Sequence, residues 1–201
     1  MVNKPGGLLA VPGRGPDKQD SVVSRLQEHC PEAIEQPAVH RLDMATSGLM
    51  VLALSAEAHR HLSGQFSRQQ VEKVYIALLD GAVTEESGEI RLRFRLDPEN
   101  RPYQVYDPVQ GKLGITCWRH LSLCGSKACP QTRIEFIPLT GRTHQLRLHA
   151  AHPLGLECPI IGDSLYGSGR KGDPMYLHAT RLSFTHPLNK KRLEFYSPPP
   201  F

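Results

Sequence analysis

Arg41 and Asp43 stand two positions apart in HRLDMATSGL, residues 40–49, beside the apolar run LMVLAL. A carboxylate at the mouth of a buried strand suits two roles. One is an ion pair at a sheet edge, which contributes little when exposed. The other is a catalytic group, a nucleophile or general base held on a rigid element. A second polar turn, LTGRTHQLRLHAAHP, gathers Arg142, His144, Arg147, His149 and His152. Its three histidines invite a metal, but they lack HExxH order and a matched carboxylate, so no metal site is expected. Cys124 and Cys129 lack the nearby His/Cys pair that zinc needs. No GxSxG, Walker A or GxGxxG is present, and no acidic pair is placed as a glycosidase dyad. What remains is one Asp in an unusual setting, with Arg and His concentrated in two distant turns.

The elements that must position these residues follow from periodicity. DSVVSRLQEHC predicts a short helix started by Asp20 or Ser21 and stopped before Pro31. GLMVLALS is a continuous apolar run of strand length, expected to be a central strand buried on both faces. Ser55 then caps a helix in which Ala58, Leu62 and Phe66 recur at i, i+4 and i+8. EKVYIALLDG reads as a strand ending at Gly81. In IRLRFRL, Ile90, Leu92, Phe94 and Leu96 face one way and Arg91, Arg93 and Arg95 the other. That basic face suits a solvated surface, the favoured use, or a stripe that binds phosphates. TRIEFIPL, TRLSFTHPL and KRLEFYS supply further alternating strands. In the second turn, Thr143 can cap a helix over His144 to Ala151, which is preferred to a strand there. Strands outnumber helices in no regular βαβ order. The expected class is α+β, with a mostly antiparallel mixed central sheet and flanking helices.

The chain has 201 residues, 39% of them hydrophobic, which suits one domain spanning 1–201. A formal charge of +4 fits a polyanion partner without requiring one. Five cysteines, an odd count without CxxC, argue against a disulfide framework and for a reducing compartment. No apolar run approaches a membrane span and none at the start has the layout of a secretory signal, so a cytoplasmic protein is expected. The opening MVNKPGG reaches a turn at once, which suggests that residues of a first strand are missing upstream.

These segments together resemble the RluA-type pseudouridine synthases. HRLDMATSGL is similar to the family's HRLDxxTSGL signature, KVYIAL to its KxYxA segment and LTGRTHQLRLH to its TGRxHQIRxH segment. YLHATRLSFTHP and NKPGGLLAVPGR match the regions near its end and its opening turn. Five segments in register cover essentially the whole chain, and the VPGR opening looks most like the ribosomal large-subunit pseudouridine synthase A branch. That branch likewise lacks an S4 domain. The stretch Tyr103 to Lys127 is longer than the resemblance leads one to expect.

The resemblance implies a cofactor-free isomerisation of uridine to pseudouridine in RNA. Asp43 would be the essential carboxylate, attacking C1′ of the ribose or removing a proton from C2′. Arg147 would be its salt-bridge partner; a guanidinium lowers an adjacent carboxylate pKa by about one to three units. Tyr75 would pack on the uracil and assist loss of the C5 proton. Arg41 would fill the gap left by the flipped uridine, an extrusion that costs a few kcal/mol. Arg142 would contact RNA or hold its loop, and His144 would contact RNA. His40 and Leu42 are expected to be structural, and Thr46, Ser47 and Gly48 to fix the turn. The implied partner is a stem-loop of rRNA, tRNA or both, bound by a monomer. The competing possibilities are an inactive RNA-binding module or folding helper, and an unrelated hydrolase. The joint presence of Asp43, Tyr75 and Arg147 favours the enzyme.

Overall fold

The computed structural model describes all 201 residues. Its strands are β1 (Val2–Lys4), β2 (Ser47–Met50), β3 (Glu72–Asp80), β4 (Ser87–Leu96), β5 (Gln104–Tyr106), β6 (Lys112–Gly125), β7 (Pro130–Pro138), β8 (Leu177–Thr185) and β9 (Arg192–Tyr196). Its helices are α1 (Val22–His29), α2 (Ala56–Ser67) and α3 (Gln145–Ala151). Two compact units divide the chain: residues 1–73 with 178–200, and residues 74–177 with Phe201. The class is α+β.

In the first unit β1 pairs antiparallel with β2, β2 runs parallel to β8, and β9 pairs antiparallel with β8. Helix α1 begins at a capping box, in which Ser21 and Ser24 each accept the other's backbone N–H. Ser55 caps α2 by accepting the Ala58 N–H. The apolar stripe of α2 faces inward as its spacing requires. Leu62 is buried with Leu49, Val51, Ala53, Val71, Leu182 and Phe184, and Ala58 and Phe66 pack against that cluster. Burying a leucine of this kind stabilises by about 1.5–3 kcal/mol.

The segment GLMVLALS differs from its expectation in one respect. Residues 49–53 are all buried, but strand β2 ends at Met50. Beyond that point the backbone bonds to residues 34–40: Val51 N–H donates to His40 Nε2, Ala53 N–H to the Pro37 carbonyl. An apolar run shows that a segment is buried without showing which neighbour takes its hydrogen bonds.

In the second unit β3, β7, β6, β4 and β5 lie side by side in that order, each pairing antiparallel. Ile90, Leu92 and Phe94 are buried, whereas Leu96, where β4 ends, is exposed. On the opposite face Arg91 pairs with Glu89 at 3.0 Å and Arg95 with Asp107 at 2.6 Å. Two of the three arginines are therefore paired with local acids, as a solvated face would have them. The stretch from Tyr103 to Lys127 forms β5 and all of β6, a 14-residue strand that bridges β4 and β7.

Candidate active site

In the first unit Asp43 opens a tight turn, which Thr46 closes by donating its N–H to the Asp43 carbonyl at 3.1 Å. Asp43 is half-buried, Leu42 before it is buried, and Arg41 and Met44 are exposed. The turn rests on Lys4, whose side chain is 1% exposed. Its ammonium donates to the carbonyls of Pro5 (2.9 Å), Leu8 (2.7 Å) and Met44 (2.9 Å). Burial lowers the Lys4 pKa to about 8, against the opposing pull of the Asp43 carboxylate. Lys4 thus remains mostly charged at neutral pH and places a cation beneath the turn.

The flanks of the turn are equally fixed. His40 accepts the Val51 N–H through Nε2 and stacks on Phe66 with ring centroids 4.5 Å apart. Burial, and then the Lys73 charge, lowers its pKa, which suits an imidazole that must accept a bond. Ser47 Oγ lies 2.8 Å from His178 Nδ1. At Gly48, φ is +114° and an added Cβ would stand 2.4 Å from the Ala179 carbonyl oxygen. Only glycine combines that left-handed backbone with so close an approach of β2 to β8.

In the second unit Tyr75 lies on β3, opposite Phe136 of β7, half-buried between buried Val74 and Ile76. The turn before α3 is held by Gln145. Its amide oxygen accepts from the Thr140 hydroxyl (2.7 Å) and the Arg142 N–H (3.0 Å). Its amide nitrogen donates to Thr116 Oγ1 (2.9 Å) and the Ile115 carbonyl (3.0 Å). The helix starts one residue later than expected. His144 is its N-cap, in the left-handed conformation at φ 56°, so Thr143 does not cap it.

Arg147 of α3 grips Asp163. Its Nε donates to Oδ2 at 2.7 Å and its Nη2 to Oδ1 at 2.5 Å. Both side chains are buried, and Asp163 also accepts the Leu165 and Tyr166 amides. Burial alone would raise the Asp163 pKa, but the Arg147 bonds and charge, with the two amides, outweigh it and hold the carboxyl low. The Tyr166 ring lies 5.3 Å from the Arg147 guanidinium carbon. Its hydroxyl accepts the Gln104 N–H at 2.8 Å and bonds His144 Nδ1 at 2.9 Å.

Of the residues singled out from sequence, Arg41 and Asp43 thus share the first unit, and Tyr75, Arg142, His144 and Arg147 the second. Arg142 is exposed, its Nε donating to the Leu113 carbonyl at 3.3 Å. His144, His149 and His152 do not converge. His144 bonds Tyr166, His152 Nδ1 accepts the Leu154 N–H, and His149 is buried with neither ring nitrogen hydrogen-bonded. No group of three or more His, Cys, Asp or Glu is arranged to hold a metal ion.

The family model described as RNA pseudouridylate synthase matches residues 1–152. The chain belongs to the RNA pseudouridylate synthase family. The synthase is similar to the "Dual-specificity RNA pseudouridine synthase RluA" of Pasteurella multocida, 41% identical over 100% of this chain and 89% of that protein. The protein of the same name from Escherichia coli K12 is 39% identical with the same coverage. Among solved structures, human RNA pseudouridylate synthase domain containing 1 aligns with a TM-score of 0.79 and 30% identity. That match spans 100% of this chain and 79% of the other. The synthase is an isomerase that converts uridine in RNA to pseudouridine.

Sequence reasoning missed four residues that shape this site: Lys4, Gln145, Asp163 and His178. Lys4 and Gln145 lie inside segments already singled out, NKPGG and THQLR, yet nothing local says that a lysine or glutamine will be buried. Charged and amide side chains are rarely fully buried unless satisfied. Asp163 belongs to GDSLYG, a glycine-flanked acid whose partner is 16 residues away.

Proposed function

We propose that the synthase isomerises a uridine presented by a stem-loop of rRNA, tRNA or both. Asp43, Tyr75 and Arg147 carry the chemistry, and Arg41, Arg142 and His144 hold the RNA. Asp43 attacks C1′, forming an ester as the N1–C1′ bond breaks, or it takes the C2′ proton as that bond breaks. The uracil turns, and a C5–C1′ bond forms as the ester bond breaks or as the proton returns to C2′. C5 then gives up its proton and N1 gains one. Substrate and product have the same composition, so neither oxidant nor group donor is consumed. Residues 1–201 act as one catalytic domain and as a monomer, in the cytoplasm; no helix is long and apolar enough to cross a membrane.

One observation carries this proposal most directly. The Asp43 turn is fastened from below by a buried ammonium that holds the Met44 carbonyl. A surface ion pair would not call for such an anchor, whereas a reacting carboxylate must be held within fractions of an ångström. The relatives named dual-specificity support more than one RNA substrate.

The test uses the full chain and short hairpins derived from tRNA and large-subunit rRNA, tritiated at uridine C5. Release of tritium to water, with the pseudouridine located by mass spectrometry, is expected. Absence of release from hairpins and from total unmodified RNA would contradict it.

A further inference from the structure

His178 takes part in none of the chemistry above, yet it is 2% exposed and spans two hydroxyls. Its Nδ1 lies 2.8 Å from Ser47 Oγ and its Nε2 lies 3.1 Å from Ser197 Oγ. Ser197 Oγ also accepts from Asn3 Nδ2 at 2.9 Å. Asn3 precedes Lys4 on β1, so one short strand contributes to both anchors of the turn.

Ser47 is the residue at which the Asp43 turn enters β2. It pairs in register with His178, and Gly48 pairs with Ala179. The close approach at Gly48 leaves no room for a side chain between the two strands. A neutral imidazole has one donor and one acceptor, which is what a bridge between two hydroxyls requires. Burial lowers the His178 pKa, against the opposing bond at Ser197, and so favours the neutral ring. An apolar residue would fill the same space, but it would take this bond from Ser47 and leave the end of the Asp43 turn with one tether fewer.

We propose that His178 is a positioning residue for the Asp43 turn, acting through Ser47. The inference rests on Asp43 being the reacting carboxylate. The turn is held at Met44 by Lys4 and at Ser47 by His178, so Asp43 sits beside two independent fastenings. Displacements of about 1 Å at a reacting group cost about 100-fold in rate.

Turnover and RNA affinity are measured for His178→Ala, Ser47→Ala, the double variant, His178→Asn and His178→Gln, each at a temperature where unfolding curves show it folded. His178→Ala and Ser47→Ala are each expected to lower kcat about tenfold or more, with RNA Kd within about threefold. The double variant should be no worse than the weaker single one. His178→Asn, whose amide reproduces the group facing Ser47, should recover most of kcat, and His178→Gln should not. If His178→Ala does not fold, Ser47→Ala and His178→Asn decide the matter.

Normal kcat in Ser47→Ala, additive losses, or equal recovery by Asn and Gln would overturn the proposal. Asp43→Asn is run beside them. An inactive Asp43→Asn with a normal Ser47→Ala sinks the positioning role alone. Undiminished turnover in Asp43→Asn sinks the assignment of Asp43 and this inference with it.

Discussion

Arg147 and Asp163 form a bidentate ion pair inside the second unit, with both side chains buried and two backbone amides completing the shell of the carboxylate. Asp163→Asn removes the charge and replaces one acceptor with a donor. Arg147 is then a buried cation without its main counter-ion. Breaking such a pair costs about 3–5 kcal/mol. Urea unfolding is expected to show a loss of that size, and a loss under about 1 kcal/mol would mean that other groups compensate. The lowered pKa of Asp163 gives the sign of its pH dependence: its contribution is fully present above the ordinary carboxylate range and is lost as pH falls below it.

Lys4 should be as important to stability as its burial implies. Lys4→Met keeps most of the side-chain volume but takes the ammonium from three carbonyls, of which that of Met44 keeps the Gly7 N–H. Each buried unsatisfied polar group costs about 1–3 kcal/mol. A loss of at least about 2 kcal/mol in urea unfolding is expected, with a fall in turnover because the Met44 carbonyl beside Asp43 loses the ammonium and keeps only the Gly7 N–H. A variant equal to the parent in both would refute the anchoring role.

His149 supplies an acid-sensitive weakness. It is fully buried, meets Phe94 edge-on and has no hydrogen-bond partner at either ring nitrogen. Burial, then the charge of His152, pushes its pKa down to about 4. A histidine whose folded pKa lies below the unfolded value stabilises fully above about pH 6.5, and that contribution is lost as pH falls toward 4. The shift corresponds to about 3 kcal/mol. His149→Leu is expected to flatten the fall in urea-unfolding free energy between pH 6.5 and 4.5. An unchanged slope would mean that other buried histidines set it.

Arg41 is exposed beside the turn, and the proposed function has it fill the gap left by the flipped uridine. Arg41→Ala is expected to lower turnover on a paired stem-loop at least about tenfold, roughly 1.4 kcal/mol. The loss should shrink on a flexible single strand, whose uridine needs little unstacking. A fluorescent base analogue beside the target reports flipping directly. Equal losses on both substrates with normal flipping would leave Arg41 as a phosphate contact.

Legibility followed the range of the interactions. Helix α2 was readable to its cap because Ser55 and the stripe of Ala58, Leu62 and Phe66 are local signals. The alternation of β4 was readable for the same reason, and it failed at Leu96, the exposed last residue of the strand. Periodicity did not foresee that residues 51–54 would bond to residues 34–40, or that the polar and apolar residues after Lys112 would join one long strand. At the site, Asp43 and Arg147 stood out in polar turns, and Tyr75 only through the resemblance carried by KVYIAL. Lys4, Asp163 and His178 did not, because each acquires its meaning from a partner 16 to 131 residues away.

The central claim is that the carboxylate of Asp43 does the reacting. The most direct measurement is single-turnover pseudouridine formation by Asp43→Asn on a hairpin RNA, with binding followed in parallel. The change removes a charge and almost no volume. Product formation should be abolished while RNA Kd stays within about threefold and the unfolding curve stays near that of the parent. Pseudouridine formed at the parent rate by Asp43→Asn would contradict the account.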